Sequence, residues 1–459
     1  MLAVVALVGR PNVGKSTLFN RLTASRDALV ADEPGLTRDR RYGVARRAER
    51  PFIVVDTGGL SGLETGIDLH MARQARVAIA EADVVVLLLD AREEPGAQDL
   101  EIVAELRRAG KPVILAANKT DGIDPRVLIG ELHALGLGEP LAIAAAHGSG
   151  IAQLLERIDA ALPADASTEH EDAVDGVAVA VIGRPNVGKS TLINRIVGAE
   201  RVIAYDQPGT TRDAIDVPFE RDGQRYTLID TAGVRRRSHV ESAIEKFSVI
   251  KALQAIEKAQ VVLVVLDAHE GVTEQDQTIL GMALDRGRAL VVAVNKWDGL
   301  RPDARDNVRR ELDLRLGFVR WAPVHFISAL HGSGVGELFE TLLGVHAAAG
   351  RTLATPALND ALAAALTAHQ PPLQRGRRVR LRYAHQGGRF PPVIVIHGTQ
   401  ADRTPANYRR YLENHFRESF RLHGTPIRLE FRGTENPYAS RAKRRPKPSG
   451  SKRGRSERR

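Results

Sequence analysis

"LVGRPNVGKSTLFN" at residues 7–20 and "VIGRPNVGKSTLIN" at residues 181–194 are nearly one segment written twice. From Gly9 to Asn20 and from Gly183 to Asn194 the copies differ only at Phe19 against Ile193. The likeness runs on downstream. "PGLTRD" at 34–39 returns as "PGTTRD" at 208–213, and "VVDTGG" at 54–59 as "LIDTAG" at 228–233. "AANKTD" at 116–121 returns as "AVNKWD" at 293–298, and "HGSG" at 147–150 recurs at 331–334. The order is unchanged, and 41 residues separate Lys15 from Asp56 as they separate Lys189 from Asp230. Self-similarity at a fixed period marks a duplicated domain.

Each copy alternates short apolar runs such as "VVVLLLD" with amphipathic stretches. That pattern predicts an α/β fold of parallel βαβ units, a mostly parallel sheet with helices on both faces. Between the copies, "PADASTEHEDAVDG" at 163–176 is acidic, lacks an apolar period and opens on proline, so it reads as a linker. After about residue 350 the pattern changes. "ALNDALAAALTAHQ" and "PANYRRYLENHFRESFR" read as helices, and "RRVRLRY", "PVIVIH" and "PIRLEFR" as strands. In the second helix Tyr408, Leu412, Phe416 and Phe420 fall on one face. The expected organisation is two tandem α/β domains at 1–162 and 177–349, a small α+β domain at 350–437, and a disordered basic tail at 438–459.

The 459 residues include no cysteine, which excludes disulfides, thiolate metal sites and cysteine nucleophiles and suits a reducing, cytoplasmic setting. The opening "MLAVVALVG" runs straight into the glycine-rich loop without a preceding basic segment, so it reads as a buried strand and not a signal peptide. Later apolar runs are far short of the ~20 residues that span a membrane. The fourteen histidines show no metal-ligand clustering. The net charge of +9 is uneven: residues 441–459 hold ten Lys/Arg and one acid, and residues 370–440 hold thirteen Arg and five acids. The rest of the chain is net acidic. A basic C-terminal region points to a polyanionic partner, nucleic acid before membrane.

Gly9-x4-Gly14-Lys15-Ser16 and Gly183-x4-Gly188-Lys189-Ser190 have P-loop spacing. Glycines let the backbone curl until its N–H groups face an anion, and the following helix presents its positive end to the same phosphates. Lys15 and Lys189 are placed to reach β- and γ-phosphates, and the Ser16 and Ser190 hydroxyls to bind Mg²⁺. Thr17 and Thr191 complete the phosphate-binding turn. Asp56 and Asp230 each close an apolar strand and open D-x-x-G. A carboxylate there holds Mg²⁺ directly or through water, and the N–H of Gly59 or Gly233 meets the γ-phosphate. Once that phosphate leaves, the loop loses a contact and relaxes. Thr37 and Thr211 lie between these motifs and offer a hydroxyl that closes on Mg²⁺ when the γ-phosphate is present, with Thr210 a competitor in the second copy. Asn118-Lys119-x-Asp121 and Asn295-Lys296-x-Asp298 follow further strands. A carboxylate at their last position accepts from N1–H and N2–H₂ of guanine and repels the N1 lone pair of adenine, which selects GTP and GDP.

These motifs resemble those of translation-factor-class GTPases. The double "GRPNVGKST", the two "DT[GA]G" loops and the C-terminal "YRRYLEN" and "GTPIRLEFR" together resemble the bacterial ribosome-biogenesis GTPases of the Der, or EngA, family, over residues 1 to about 440. The resemblance implies two P-loop GTPase domains, a KH-like third domain, and association with the large (50S) ribosomal subunit and its rRNA during assembly, as a cytoplasmic monomer away from membranes. Three departures bear on mechanism. Leu60 and Val234 follow D-x-x-G where many GTPases place a water-orienting glutamine. In related GTPases a potassium ion near the P-loop asparagine supplies positive charge instead, which makes Asn12 and Asn186 candidate catalytic residues beside Lys15 and Lys189; the alternative is that each asparagine only braces its loop. The base loop reads Ser328-Ala329 in the second copy but Ala144-Ala145 in the first. The N–H of Ala145 is expected to meet guanine O6, but a supporting hydroxyl is lost and the first site is expected to hold nucleotide more loosely. The C-terminal domain lacks the G-x-x-G loop with which KH domains clamp RNA. The leading functional reading is a GTP-hydrolysing switch in large-subunit assembly. The alternatives are a chain in which one copy hydrolyses while the other regulates, and a tRNA-modification-type GTPase.

Overall fold

The computed structural model describes residues 2–23, 41–45, 48–57, 78–121, 132–163, 176–198, 202–204, 216–229, 249–374 and 377–433. Residues 164–175 of the expected linker and all of the expected tail lie outside that set. The chain forms two compact units, one built on the first sheet and one holding the second sheet together with the C-terminal domain.

The first sheet has six strands: β1 (Ala3–Val8), β2 (Arg41–Ala45), β3 (Phe52–Asp56), β4 (Val84–Asp90), β5 (Val113–Asn118) and β6 (Leu141–Ala142). Their order is β2-β3-β1-β4-β5-β6. Only the β2–β3 pairing is antiparallel. Every residue of β1, β3 and β4 is buried, because helices cover both faces; this is why these strands read as unbroken apolar runs. The described helices are α1 (Lys15–Thr23), α2 (Ala97–Ala109) and α3 (Ile151–Ala161). Register puts Leu7 beside Asp56 and Asp90 beside Asn118, so the ends of four adjacent strands lie level. A crevice outside the carboxyl ends of such strands is where an open α/β sheet binds ligand.

The second sheet repeats the plan with one strand more, in the order β13-β12-β11-β7-β10-β9-β8. It comprises β7 (Val177–Ile182), β8 (Val202–Ala204), β9 (Val217–Arg221), β10 (Gln224–Ile229), β11 (Val261–Asp267), β12 (Ala289–Asn295) and β13 (Val324–Phe326). The helices are α4 (Lys189–Val197), α5 (Val249–Lys258), α6 (Glu274–Asp285), α7 (Pro302–Arg315) and α8 (Val335–Ala349).

The C-terminal domain contains α9 (Thr355–Ala368), the two-residue strands β14 (Leu373–Gln374) and β15 (Arg377–Arg378), then β16 (Arg380–Gly388), β17 (Val393–Thr399), α10 (Ala406–Ser419) and β18 (Arg428–Gly433). β16 runs antiparallel to β17, and β17 parallel to β18. The helical stripe behaves as expected: Tyr408, Leu412 and Phe416 are buried and Phe420 packs against the same core. The second α/β domain and this domain pack directly. Leu290 N–H donates to Gly424 O (2.7 Å), Gly424 N–H to Trp321 O (3.0 Å) and Phe390 N–H to Ala349 O (3.1 Å).

Candidate nucleotide sites

β1 and β7 each run directly into a glycine turn. A Cβ on Gly9 would lie 2.3 Å from Leu88 O, and one on Gly14 2.3 Å from Asn118 Nδ2. In the second copy the corresponding distances are 2.4 Å for Gly183 from Val265 O and 2.2 Å for Gly188 from Asn295 Nδ2. No side chain fits, and φ of 100° at Gly14 and 99° at Gly188 also requires glycine. Asn12 and Asn186 take left-handed φ of 64° and 63°, a region asparagine tolerates, and both are exposed at the loop tip. Thr17 and Thr191 are exposed on the first turns of α1 and α4.

Lys15 folds back onto its own loop, donating to Gly9 O (2.7 Å) and Arg10 O (2.6 Å). Burial lowers its pKa from 10.5 to about 8, with the Asp56 charge opposing. Lys189 likewise donates to Arg184 O (2.7 Å). At the end of β3, Asp56 is fully buried and accepts from the Ser16 hydroxyl (2.8 Å). Thr37, Gly59, Leu60, Thr211, Asp230, Gly233 and Val234 lie outside the described residues.

The base-recognition motifs act first as braces. Asn118 Nδ2 donates to Val13 O (2.8 Å) in the P-loop, while its Oδ1 accepts from Ala145 N–H (2.9 Å). Asn295 repeats this with Val187 O (2.8 Å) and Ala329 N–H (2.8 Å). The expected free N–H of Ala145, aimed at guanine O6, is therefore corrected: it is already given to Asn118, as that of Ala329 is to Asn295. The amide of each asparagine matches a carbonyl on one side and an N–H on the other, so it ties the phosphate loop to the base loop. Lys119 pairs with Asp90 (2.6 Å) and Lys296 with Asp267 (2.5 Å), at the ends of β4 and β11. Asp121 lies 3.7 Å from His147 Nε2 and 3.9 Å from Arg92 Nη2. Asp298 is held more closely. The Ser328 hydroxyl bonds its carboxylate, the main cause of its lowered pKa, and His331 Nε2 lies 3.0 Å away. Ala144 offers no such hydroxyl.

Two arginines in each copy of the repeat emerge from the structure alone. Arg10 Nε lies 2.6 Å from Asp99 and its Nη1 3.3 Å from Glu93. Arg184 Nε lies 3.0 Å from Asp276, and its Nη1 bonds Glu270 (2.6 Å). Asp99 and Asp276 are fully buried and cap the starts of α2 and α6. Arg21 donates to the carbonyls of Ala145 (3.1 Å) and Ala146, and Arg195 to those of Ala329 (3.4 Å) and Leu330, so α1 and α4 hold the base loops from below. Their identical placement in both copies was the signal available in the sequence. Among the described residues, no group of three or more His, Asp or Glu side chains forms a separate metal site.

A glycine cradle at the end of β1, a lysine held in it, and a carboxylate and an N-K-x-D motif on the neighbouring strands define a P-loop GTPase site, and this chain carries that plan twice. Known proteins agree. The pattern described as 50S ribosome-binding GTPase matches residues 4–119 and again 178–296, and that of the C-terminal KH-domain-like region of EngA bacterial GTPase enzymes matches residues 353–432. GTPase Der of Halorhodospira halophila is 61% identical over 442 residues, 96% of this chain and 94% of that protein. GTPase Der of Thioalkalivibrio sulfidiphilus is 60% identical over 96% of this chain and 95% of that protein. The chain belongs to the GTPase Der family: it binds GTP and hydrolyses it, with two GTPase domains and a KH-like C-terminal domain. Among the described residues no helix is long and apolar enough to cross a membrane.

Proposed function

We propose that this GTPase acts as a switch in assembly of the large ribosomal subunit, as a cytoplasmic monomer that contacts rRNA. GTP favours one arrangement of the chain and hydrolysis another, which changes affinity for assembling particles. The observation that carries the reading is a complete phosphate cradle packed in one unit with a strongly basic C-terminal domain. Nucleotide-dependent pelleting with purified large subunits tests it. Co-sedimentation that differs between GTP and GDP, and that changes in Lys189→Ala, is the expected result. Failure to co-migrate in any nucleotide state ends the ribosomal assignment while leaving the GTPase intact.

Ser16 Oγ and Asp56 Oδ2 form an all-oxygen pair, one of them a buried carboxylate, which fits a hard divalent cation. Mg²⁺ bound there supplies charge to the β- and γ-phosphate oxygens. Ser190 and Asp230 take the same roles in the second copy, and Thr37 and Thr211 close each site from the intervening loop. Lys15 and Lys189 exchange their loop carbonyls for phosphate oxygens. The γ-phosphate is met by the N–H groups of Gly59 and Gly233, and guanine by Asp121 and Asp298. With Leu60 and Val234 unable to orient water, K⁺ held by Asn12 and Asn186 supplies the remaining positive charge. Hydrolysis should run faster in K⁺ than in Na⁺ at equal ionic strength, and equal rates remove the ion from the scheme.

A second reading, an unequal pair of sites, is favoured by the Ser328–Asp298 hydrogen bond that the first copy lacks. Comparing turnover in Lys15→Ala and Lys189→Ala tests it; equal losses argue against a division of labour.

A further inference from the structure

The face of the C-terminal sheet away from its helices carries a group of rings that the nucleotide sites do not use. Tyr383 and His385 on β16 and His397 on β17 lie with ring centroids 5.2–5.8 Å apart, the two imidazoles inclined by only 21°. Leu381, Ala384, Ile394 and Ile396 on the same strands are buried in the core beneath, so the rings stand on the opposite face. Tyr383 is 44% exposed. In register, Tyr383 sits across from His397, and His397 across from Arg432 on β18. Arg380, Arg382 and Arg432 are exposed around the rings. Arg432 pairs with Glu430 (3.0 Å), whereas Arg380 and Arg382 have no ion pair among the described residues.

Packing against the second GTPase domain uses the other end of these strands: Phe390 meets Ala349, and Arg428 meets Asp285 O (2.6 Å). β18 ends at Gly433, across from Gly398, so the basic sequence of 441–459 is attached at the ring end. An outward sheet face is ordinarily polar. Three clustered rings beside cations without acidic partners match a chain of flat bases joined by phosphates.

We propose that this face binds single-stranded RNA, with bases stacked on Tyr383, His385 and His397 and phosphates met by Arg380, Arg382 and Arg432. It gives a KH-like domain without a G-x-x-G loop a different surface for RNA, and it rests on the ribosomal role proposed above. Paired bases hide their flat faces within the helical stack, so the face selects unpaired segments.

The full-length protein is titrated against a labelled single-stranded RNA of roughly a dozen nucleotides, and against the duplex of the same sequence, over a range of salt. Tyr383→Ala should weaken single-strand binding about tenfold and leave duplex binding unchanged, while Tyr383→Phe retains affinity. Arg382→Ala should lower the slope of log affinity against log salt by about 0.7. Unaltered GTP turnover in all variants shows that they are folded. Single-strand affinity unchanged in Tyr383→Ala overturns the proposal. If that variant nonetheless fails to pellet with large subunits, the face contacts protein, and the ribosomal role survives without this site. If ring-dependent RNA binding holds but no variant or wild type pellets with subunits, the RNA face stands and the ribosomal role falls.

Discussion

Lys15 is 3% exposed, and burial holds its pKa near 8 while its ammonium bonds two loop carbonyls. The folded value lies below the ordinary 10.5, so between about pH 8 and 10.5 the unfolded chain binds the proton and the empty site does not. Stability of the empty first domain therefore rises as the pH is raised through that window, and the penalty for the buried charge is fully present below it. Phosphate oxygens restore the charged form, so GTP binding inside the window should draw in a fraction of a proton. Calorimetry in buffers of different ionisation heat reads this directly; uptake that persists in Lys15→Met would assign it to another group. At the base end, one hydroxyl separates the two copies. Ala144→Ser should strengthen GDP binding at the first site, and Ser328→Ala weaken it at the second, each by roughly threefold because the aspartate is solvent-facing. Fluorescent-GDP titration of each site, with the other disabled, measures both changes.

The arginine ties are the equivalent lesson at the level of elements. Arg10 and Arg184 join the P-loops to the caps of α2 and α6, but the acceptors differ in how well they are otherwise satisfied. Asp276 also accepts from the N–H (3.0 Å) and hydroxyl (2.8 Å) of Thr273. Asp99 has the Gly96 N–H (2.9 Å), and its Oδ1 is buried without a hydrogen bond. Removing the arginine leaves Asp99 the poorer of the two, so Arg10→Ala should cost about 1–3 kcal/mol of local stability and Arg184→Ala less. Hydrogen exchange at the first turns of α2 and α6 separates the two effects, and equal acceleration at both would contradict the ranking. The sequence revealed the strands because burial on both faces leaves unbroken apolar runs, and the loops because glycine and lysine spacing has a direct backbone cause. It did not reveal the ties, since Asp99 and Asp276 look like solvated helix residues until folding brings them to Arg10 and Arg184. Asn118 was misread for a related reason. Its motif announces guanine, while its side chain serves Val13 and Ala145, neither of them near in sequence.

On the scale of the whole molecule, the second GTPase domain and the C-terminal domain are joined by backbone bonds, and Gly424 sits at their centre. Its N–H and carbonyl connect Trp321 to Leu290. Its φ of 65° is left-handed, and a Cβ there would lie 2.1 Å from Val345 Cγ1 and 3.1 Å from Pro323 Cδ. Arg417 adds a guanidinium 5.2 Å from the centroid of the Trp321 ring. Only four residues, 351–354, separate the C-cap of α8 from α9, so the C-terminal domain cannot move far without breaking these contacts. Gly424→Val combines a disfavoured backbone conformation with overlap against α8, each costing on the order of 1–3 kcal/mol. The expected outcome is a detached C-terminal domain: faster exchange of the Leu290 and Gly424 amides and protease cleavage near 351–354, with turnover at Lys189 retained because the P-loop is untouched. If the switch operates through this joint, the variant should also pellet with large subunits to the same extent in GTP and GDP. Nucleotide-dependent pelleting that survives a demonstrably detached domain would place the communication elsewhere in the chain.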